Sequence, residues 1–381
     1  MNNKPPKNWN RVTLGEILDY ERPDKYIVSS EEYNDSYITP VLTAGKTFIL
    51  GYTDENDGIY ENIPVIIFDD FTTESKYVDF NFKVKSSAMK ILKAKNNTTL
   101  KYLYYLMQTI PFNHETHKRY WISEYSKLKI DIPEKIEEQQ EIVQVLDTMS
   151  DIIRLRKECI SHAKELILSL FIEMFGNPIK NDKKYEIFPI KKLGKVTTGS
   201  TPSSSKENMF GGSIPFITPG DLETGSYLYN RYLTEDGALN SRMVRAGSTM
   251  VCCIGATIGK VDKAIVNSCF NQQINAIEWN NKYINDVYAL YLFRLLAPLI
   301  KEKASNTTLP ILNKGNFENI LIPKPDIGLQ EQFAQKAIEI ESYIKEQEEE
   351  RDNAKQMFQS LLHHAFTGEL TRHKFGGDAN G

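Results

Sequence analysis

The feature that most constrains this chain is a long helical pattern written twice. EEQQEIVQVLDTM fills 137–149 and LQEQFAQKAIEIE fills 329–341. From there the copies keep one offset of 191 residues: Gln139 corresponds to Gln330, Ile142 to Phe333, Ser169 to Ser360, Leu170 to Leu361 and Phe175 to Phe366. A constant offset leaves no room for an insertion in either copy. The apolar positions alternate steps of four and three, which is a heptad seam. In the first copy the seam runs Ile142, Leu146, Met149, Ile153, Arg156, Ile160, Ala163, Ile167, Leu170, Met174. In the second it runs Phe333, Ala337, Ile340, Ile344, Gln347, Arg351, Ala354, Phe358, Leu361, Ala365. The second copy is polar at its centre, beside Glu348, Glu349 and Glu350. Antiparallel pairing would bring Arg156 to those glutamates, and a polar seam element fixes register at some cost in stability. The pattern predicts a two-helix antiparallel coiled coil roughly 50 Å long.

A globular segment precedes each helix. Each opens near a Leu-Gly, in VTLGEI (12–17) and IKKLGKV (190–196), and each closes on a short strand ended by proline, LKIDIP (128–133) and ENILIP (318–323). Between these marks the two segments lose their likeness. The boundaries are 1–133 for the first domain, 134–176 for the first helix, 177–323 for the second domain and 324–370 for the second helix, with 371–381 a flexible tail. The overall charge of −4 argues against a polyanionic partner until it is divided. The helical segments carry −4 each, while the globular segments carry −1 and +5. A phosphate backbone responds to local patches and not to the total.

Strands alternate with loops in both domains, which predicts mixed α/β folds. In the first, PVIIF is an apolar strand, DDFTTESK a polar loop, and a following strand places Phe80, Phe82 and Val84 on one face and Asn81, Lys83 and Lys85 on the other. LKYLYYLMQTIP (100–111) is a helix stopped by proline. In the second, STMVCCIGATIGKV (248–261) is strand, glycine turn, strand. GATIGK fails as a phosphate loop because Gly255 and Gly259 are one residue too close and Val261 stands where Ser or Thr is required.

No catalytic constellation emerges. His114 and His117 have no third ligand, His363 and His364 suit a helix end, and no nucleophile or methyltransferase motif is present. No metal site and no cofactor are expected on the chain itself. Cys159, Cys252, Cys253 and Cys269 show no CxxC spacing and read as buried thiols of a reducing cytoplasm. No apolar run reaches the ~18 residues of a membrane span, and MNNKPPKNWN lacks the apolar core of a signal peptide.

Two unlike globular halves, each followed by a like helix, resemble the DNA-specificity subunit of Type I restriction–modification systems. The marks are PVLTAGKTFILGYT, PVIIFDDFTT with KSSAMKIL, and IPEKIEEQQEIVQVLD in the first half, and IPFITPGDL, CIGATIGK with NQQINAI, and LQEQFA in the second. The resemblance implies two target-recognition domains of α/β fold held apart by an antiparallel coiled coil. It implies a non-catalytic subunit binding double-stranded DNA, two methyltransferase (modification) subunits and, in the full complex, restriction subunits. S-adenosylmethionine, ATP and Mg would reside on those partners only. FDDFT stands where relatives often carry a glycine and a histidine, a change expected to alter the base read.

On that reading the contacts with DNA fall on polar loops: Thr43, Lys46, Asp70, Thr72, Thr73 and Lys76 in the first domain, and Ser200, Thr201, Lys206, Thr218, Asp221, Lys260, Gln272 and Gln273 in the second. Lysines and hydroxyls would hold phosphates, while Gln, Asp and Thr could read base edges. Near-neutral domains predict weak binding by the chain alone. Two alternatives stay open: a coiled-coil adaptor that does not read DNA, and an enzyme acting alone. Salt-sensitive, sequence-dependent DNA binding separates the first, and an assay with metal and cofactor separates the second.

Overall fold

The structure is a computed structural model that describes residues 6, 8–43, 47–95, 98–111, 119–203, 208–223, 229–305 and 310–375. The chain forms two compact units. One joins residues 1–157 to 349–381, and the other comprises 158–348. Each of the two long helices gives one half to each unit.

The first unit contains β1 (Trp9–Thr13), β2 (Leu18–Glu21), β3 (Thr39–Leu42), β4 (Ile49–Thr53), β5 (Val65–Asp69), β6 (Ser75–Val78), β7 (Lys83–Val84), β8 (Met89–Ala94) and β9 (Lys129–Pro133). Helices α1 (Leu14–Ile17), α2 (Leu100–Met107) and the long α3 (Ile136–Phe175) punctuate them. β1 pairs with β9, an antiparallel sheet runs β2-β8-β5-β6, and a smaller sheet runs β4-β3-β7 with β3 and β7 parallel. The run Val65-Ile66-Ile67-Phe68 is buried throughout because both faces of β5 are covered. Ile66 and Phe68 join the core under α2, with Leu103, Trp121 and Tyr125. Val65 and Ile67 join a second core with Val78, Met89 and Ile91.

The second unit contains β10 (Ile187–Pro189), β11 (Gly194–Thr198), β12 (Phe210–Ile217), β13 (Tyr232–Leu233), β14 (Met243–Val244), β15 (Thr249–Cys252), β16 (Val261–Lys263), β17 (Ser268–Phe270), β18 (Ile274–Trp279) and β19 (Leu321–Pro323). Its helices are α4 (Ile190–Leu193), α5 (Glu235–Leu239), α6 (Asp286–Glu302), α7 (Lys314–Glu318) and the long α8 (Ile327–Phe366). The pairings follow those of the first unit: β10 with β19, an antiparallel sheet β11-β18-β15-β16, and a second sheet β13-β12-β17-β14 with β12 and β17 parallel, in which β14 is a fourth strand without counterpart in β4-β3-β7. The core strand pairings are therefore duplicated, including in segments whose sequences have diverged, while β14 and α5 are additions of the second unit.

α3 and α8 are each 40 residues long, about 60 Å at 1.5 Å per residue and longer than the sequence suggested. Glu137 and Glu138 favour the start of α3 through its dipole, and Asp326 accepts from the Gly328 amide (2.8 Å) at the start of α8. Beyond the two helix ends Gly176 and Gly368 adopt left-handed φ values of 72° and 75°, where a side chain would be strained.

The helices pack antiparallel within each unit. In the first, Arg156 pairs with Glu350, while further back along α3 Lys374 reaches Glu141 (2.9 Å). In the second, Lys164 reaches Glu348 (3.1 Å) and Phe171 stacks edge-on against Phe333 (5.3 Å). Every seam position named above is buried or half-buried. Phe171 and Leu362, outside that seam, are buried as well.

The shorter helices tie the globular parts to this pair. Tyr102 on α2 packs on Phe366 (5.3 Å), and Tyr288 on α6 packs on Phe175 (4.8 Å), the repeat-equivalent residue. Tyr105 donates to Asp147 (2.6 Å) and Tyr291 to Glu341 (2.8 Å).

Three expectations need correction. Residues 371–375 do not belong to a flexible tail: Arg372–Phe375 is a short helix, α9, and the buried Thr371 hydroxyl donates to Glu138 (2.7 Å). Lys83 does not face solvent. It is buried, pairs with Glu55 (2.7 Å) and belongs to a two-residue strand rather than a long alternating one. Cys159 is exposed on α3, and the other three cysteines are buried.

Candidate nucleic-acid interface

In the first unit the loop DDFTTES is a tight turn between β5 and β6. Asp69 organises it, accepting from the amides of Phe71 (2.8 Å) and Thr72 (3.2 Å). Thr73 takes a left-handed φ of 58° at the tip. Thr72 and Lys76 are exposed and Thr73 is half-buried. Asp70 is placed differently from the expectation. Its side chain is 1% exposed, pairs with the equally buried Lys90 (3.0 Å) and accepts from the Trp121 amide (2.8 Å). A carboxylate committed in this way holds the loop and is not open to a base edge. Thr43 follows β3 and donates to the Thr47 carbonyl (2.7 Å). Lys46 lies outside the described residues.

In the second unit the candidates fall into two groups. Thr201 and Gln272 are both exposed, and the Thr201 hydroxyl donates to Gln272 Oε1 (2.7 Å). That bond orients the amide so that its Nε2 group is turned away from Thr201. Ser200 is part of the same edge through its amide, donated to the Phe270 carbonyl (2.9 Å). Gln273 accepts from the buried Asn271 (2.9 Å) and serves the β17–β18 turn. The second group is Thr218, Asp221 and Lys260. Thr218 donates to Asp221 through its amide (2.8 Å) and its hydroxyl (2.7 Å), and Asn230 donates to the other carboxylate oxygen (2.7 Å). Burial opposes the charge on Asp221, but these bonds outweigh it and hold the carboxyl below its ordinary value. Lys260 donates to the Leu222 carbonyl at 3.4 Å. Lys206 lies outside the described residues.

The structure adds cationic groups that the sequence reading did not single out. Arg119 lies 6.0 Å from the Phe71 ring at the tip of the first turn. Arg242 is exposed and donates to the Thr198 carbonyl (2.9 Å), while its neighbour Ser241 donates to the Ser200 carbonyl (2.6 Å). Arg231 stacks 4.1 Å over Phe210. Chain proximity could not reveal Arg119 or Arg242, because the fold alone brings them to these loops. A separate cavity of about 430 Å³ opens between the second domain and its half of the helix pair. Its walls carry the pairs Lys263–Glu341 (2.9 Å) and Arg294–Asp262 (3.9 Å).

Two α/β modules of one topology, each turning exposed polar loops outward and each fixed to half of an antiparallel helix pair, define an internally duplicated recognition scaffold. A family model described as the Type I restriction modification DNA specificity domain matches residues 6–165 and again 182–353. The chain belongs to this family and is a Type I restriction–modification specificity subunit. It is 36% identical over 353 residues, 85% of this chain and 84% of the relative, to the Type I restriction enzyme EcoR124I/EcoR124II specificity subunit of Escherichia coli. It is 30% identical over 162 residues, 41% of this chain and 37% of the relative, to the MjaIX specificity subunit of Methanocaldococcus jannaschii. The fold resembles the crystal structure of the system S subunit from M. genitalium, with a TM-score of 0.63 at 15% identity over 96% of this chain and 97% of that one. Among the described residues no helix is long and apolar enough to cross a membrane.

Proposed function

We propose that the chain reads a bipartite, asymmetric DNA target, one half-site per module, and docks adenine-N6 methyltransferase subunits, with restriction subunits completing the larger complex. The observation that carries this reading is the duplication: the same sheet topology recurs in both units on helices paired antiparallel. A duplicated module suits two half-sites of one duplex, and major-groove sites one turn apart are about 34–36 Å from each other. Helices of about 60 Å are long enough to set such a spacing. The loops differ in their residues, so the half-sites differ. Lysines and hydroxyls of Thr72, Thr73, Lys76, Thr201 and Lys260 hold the backbone, and Gln272 reads a base edge. The chain supplies no chemistry. S-adenosylmethionine, ATP and Mg act on the partner subunits, which also contribute much of the phosphate neutralisation.

The test is to co-express the chain with its methyltransferase subunit and map methylated adenines in the host genome. A bipartite motif with one spacer length is expected, and adding one heptad to both helices should lengthen that spacer. A continuous motif, an unchanged spacer or no sequence-dependent methylation would overturn the reading and favour an adaptor.

A further inference from the structure

We propose that Gln139 and Gln330 are positioning residues that fix the angle at which each module sits on its long helix, and so set how strictly the spacer is measured. This rests on the bipartite reading above. Both side chains are buried, at 2% and 0% exposed. Each stands in the first turn of a long helix, and the two correspond at the repeat offset of 191.

Their bonding is alike in kind, with one further bond at Gln330, although the modules around them have diverged. Gln139 Nε2 donates to the Pro133 carbonyl (3.1 Å), and its Oε1 accepts from the Thr99 amide (2.9 Å). Gln330 Nε2 donates to the Pro325 (2.9 Å) and Tyr283 (3.0 Å) carbonyls, and its Oε1 accepts from the Asn285 amide (2.9 Å). Thr99 and Asn285 are the N-cap residues of α2 and α6. In both units, then, one glutamine amide joins three elements: the strand exit, the long helix and the start of the shorter helix.

A buried amide costs stability unless it is bonded, so an apolar residue would serve if packing were the whole task. What the amide adds is direction. Hydrogen bonds weaken steeply when bent or stretched by a few tenths of an ångström, whereas apolar contacts tolerate sliding. Tyr102 and Tyr288 hold the same short helices through ring contacts. Those contacts retain the module, and the glutamine sets its rotation. A duplex turns once in 10–10.5 base pairs, so a module free to rotate by a few tens of degrees could follow a half-site displaced by one pair.

The test uses the full chain in complex with its methyltransferase subunit and duplexes carrying both native half-sites. Spacers are of natural length or one base pair longer or shorter, and methylation rates are compared. Gln139→Met keeps the volume and removes the polar atoms. Its preference for the natural spacer should fall about tenfold, the size of one lost net hydrogen bond at ~1.4 kcal/mol, with both half-sites still required. Amide exchange should accelerate at Thr99 and not at Asn285, and Gln330→Met should give the reverse. Gln139→Glu keeps an acceptor for Thr99 but turns a buried carboxylate on the Pro133 carbonyl, so its preference should fall at least as far as that of Gln139→Met. Unchanged spacer preference in both variants overturns the inference, and so does faster exchange at Thr99 without any change in preference, since the residue would then be only a cap. If the unmodified complex shows no bipartite target, the proposed function fails instead.

Discussion

The two modules bury different chemistry at the same place in the same sheet. At the end of the central strand, Phe68 stands opposite Lys90 and Asp69 opposite Met89. In the second module Val251 stands opposite Asn275 and Cys252 opposite Ile274. Asp70 and Lys90 therefore correspond to Cys253 and Asn275. The first pair is an ion pair in the interior, strapped to Trp121. The second is neutral: burial pushes the Cys253 thiol up to about 12, and Asn275 accepts from the Thr198 hydroxyl (2.6 Å). A second contrast lies under the short helices. Phe171, Phe175, Tyr288 and Phe333 form an aromatic cluster in the second unit. The repeat equivalents in the first are Leu362, Phe366, Tyr102 and Ile142, two of them aliphatic. The frame of strand order and glutamine anchors is common to both, and the filling is not. Interior and edge residues are thus free to vary from one module to the other without altering the sheet that carries the loops.

The largest expected effect breaks the first contrast. Lys90→Met leaves Asp70 buried without its partner and should destabilise the first unit by about 3–5 kcal/mol, whereas Asn275→Ala should cost the second about 1–2 kcal/mol. Amide exchange resolved by unit, under denaturant, measures both, and equal losses would erase the distinction. Next, Phe333→Ala should cost about 3–5 kcal/mol and Ile142→Ala about 2–5, the cavity being larger where a ring is removed. Urea midpoints of the two variants check the order. Gln272→Ala should relax one position of one half-site, by about 1–3 kcal/mol of discrimination, and leave the other half-site unchanged. Methylation-motif mapping of that variant reads it directly.

Acid should affect Asp221 in a defined direction. Its carboxyl is depressed in the folded chain, so the stability it contributes is full above the ordinary value of about 3.9 and is lost as pH falls through the lowered one. The difference in thermal midpoint between the native chain and Asp221→Asn should shrink below about pH 4. The smallest effect is Arg156→Met. The Arg156–Glu350 pair is half-exposed, so its removal should cost under about 1 kcal/mol, measured by the same denaturation.

The sequence exposed what repeats along one dimension. The heptads of α3 and α8 and the strand–turn–strand character of 248–261 depend on spacing, and the antiparallel sense of the helices on where Arg156 and the glutamates fall in the seam, all visible in a string of residues. What it hid depends on three dimensions. DDFTTES looked like a uniform polar loop, yet Asp70 turns inward because Lys90, twenty positions later, lies on the neighbouring strand and Trp121 offers an amide. Lys83 alternates with Phe82 and Val84 as an outward residue would, but Glu55 waits inside for it. Thr201 and Gln272 could be nominated separately, but their bond could not be read from positions 71 residues apart. The common topology of the two halves was equally hidden, because side chains had drifted while the strand order was kept.

The exposed thiol on α3 gives the molecule a single chemical address. Cys252, Cys253 and Cys269 are shielded, so a maleimide dye offered to the folded chain would react at Cys159, a little past the middle of a 40-residue helix. That probe would sit on the long helix and not on a strand or on a loop nominated for DNA. Its emission, or its energy transfer to a labelled duplex, would follow the assembled complex without any engineered cysteine.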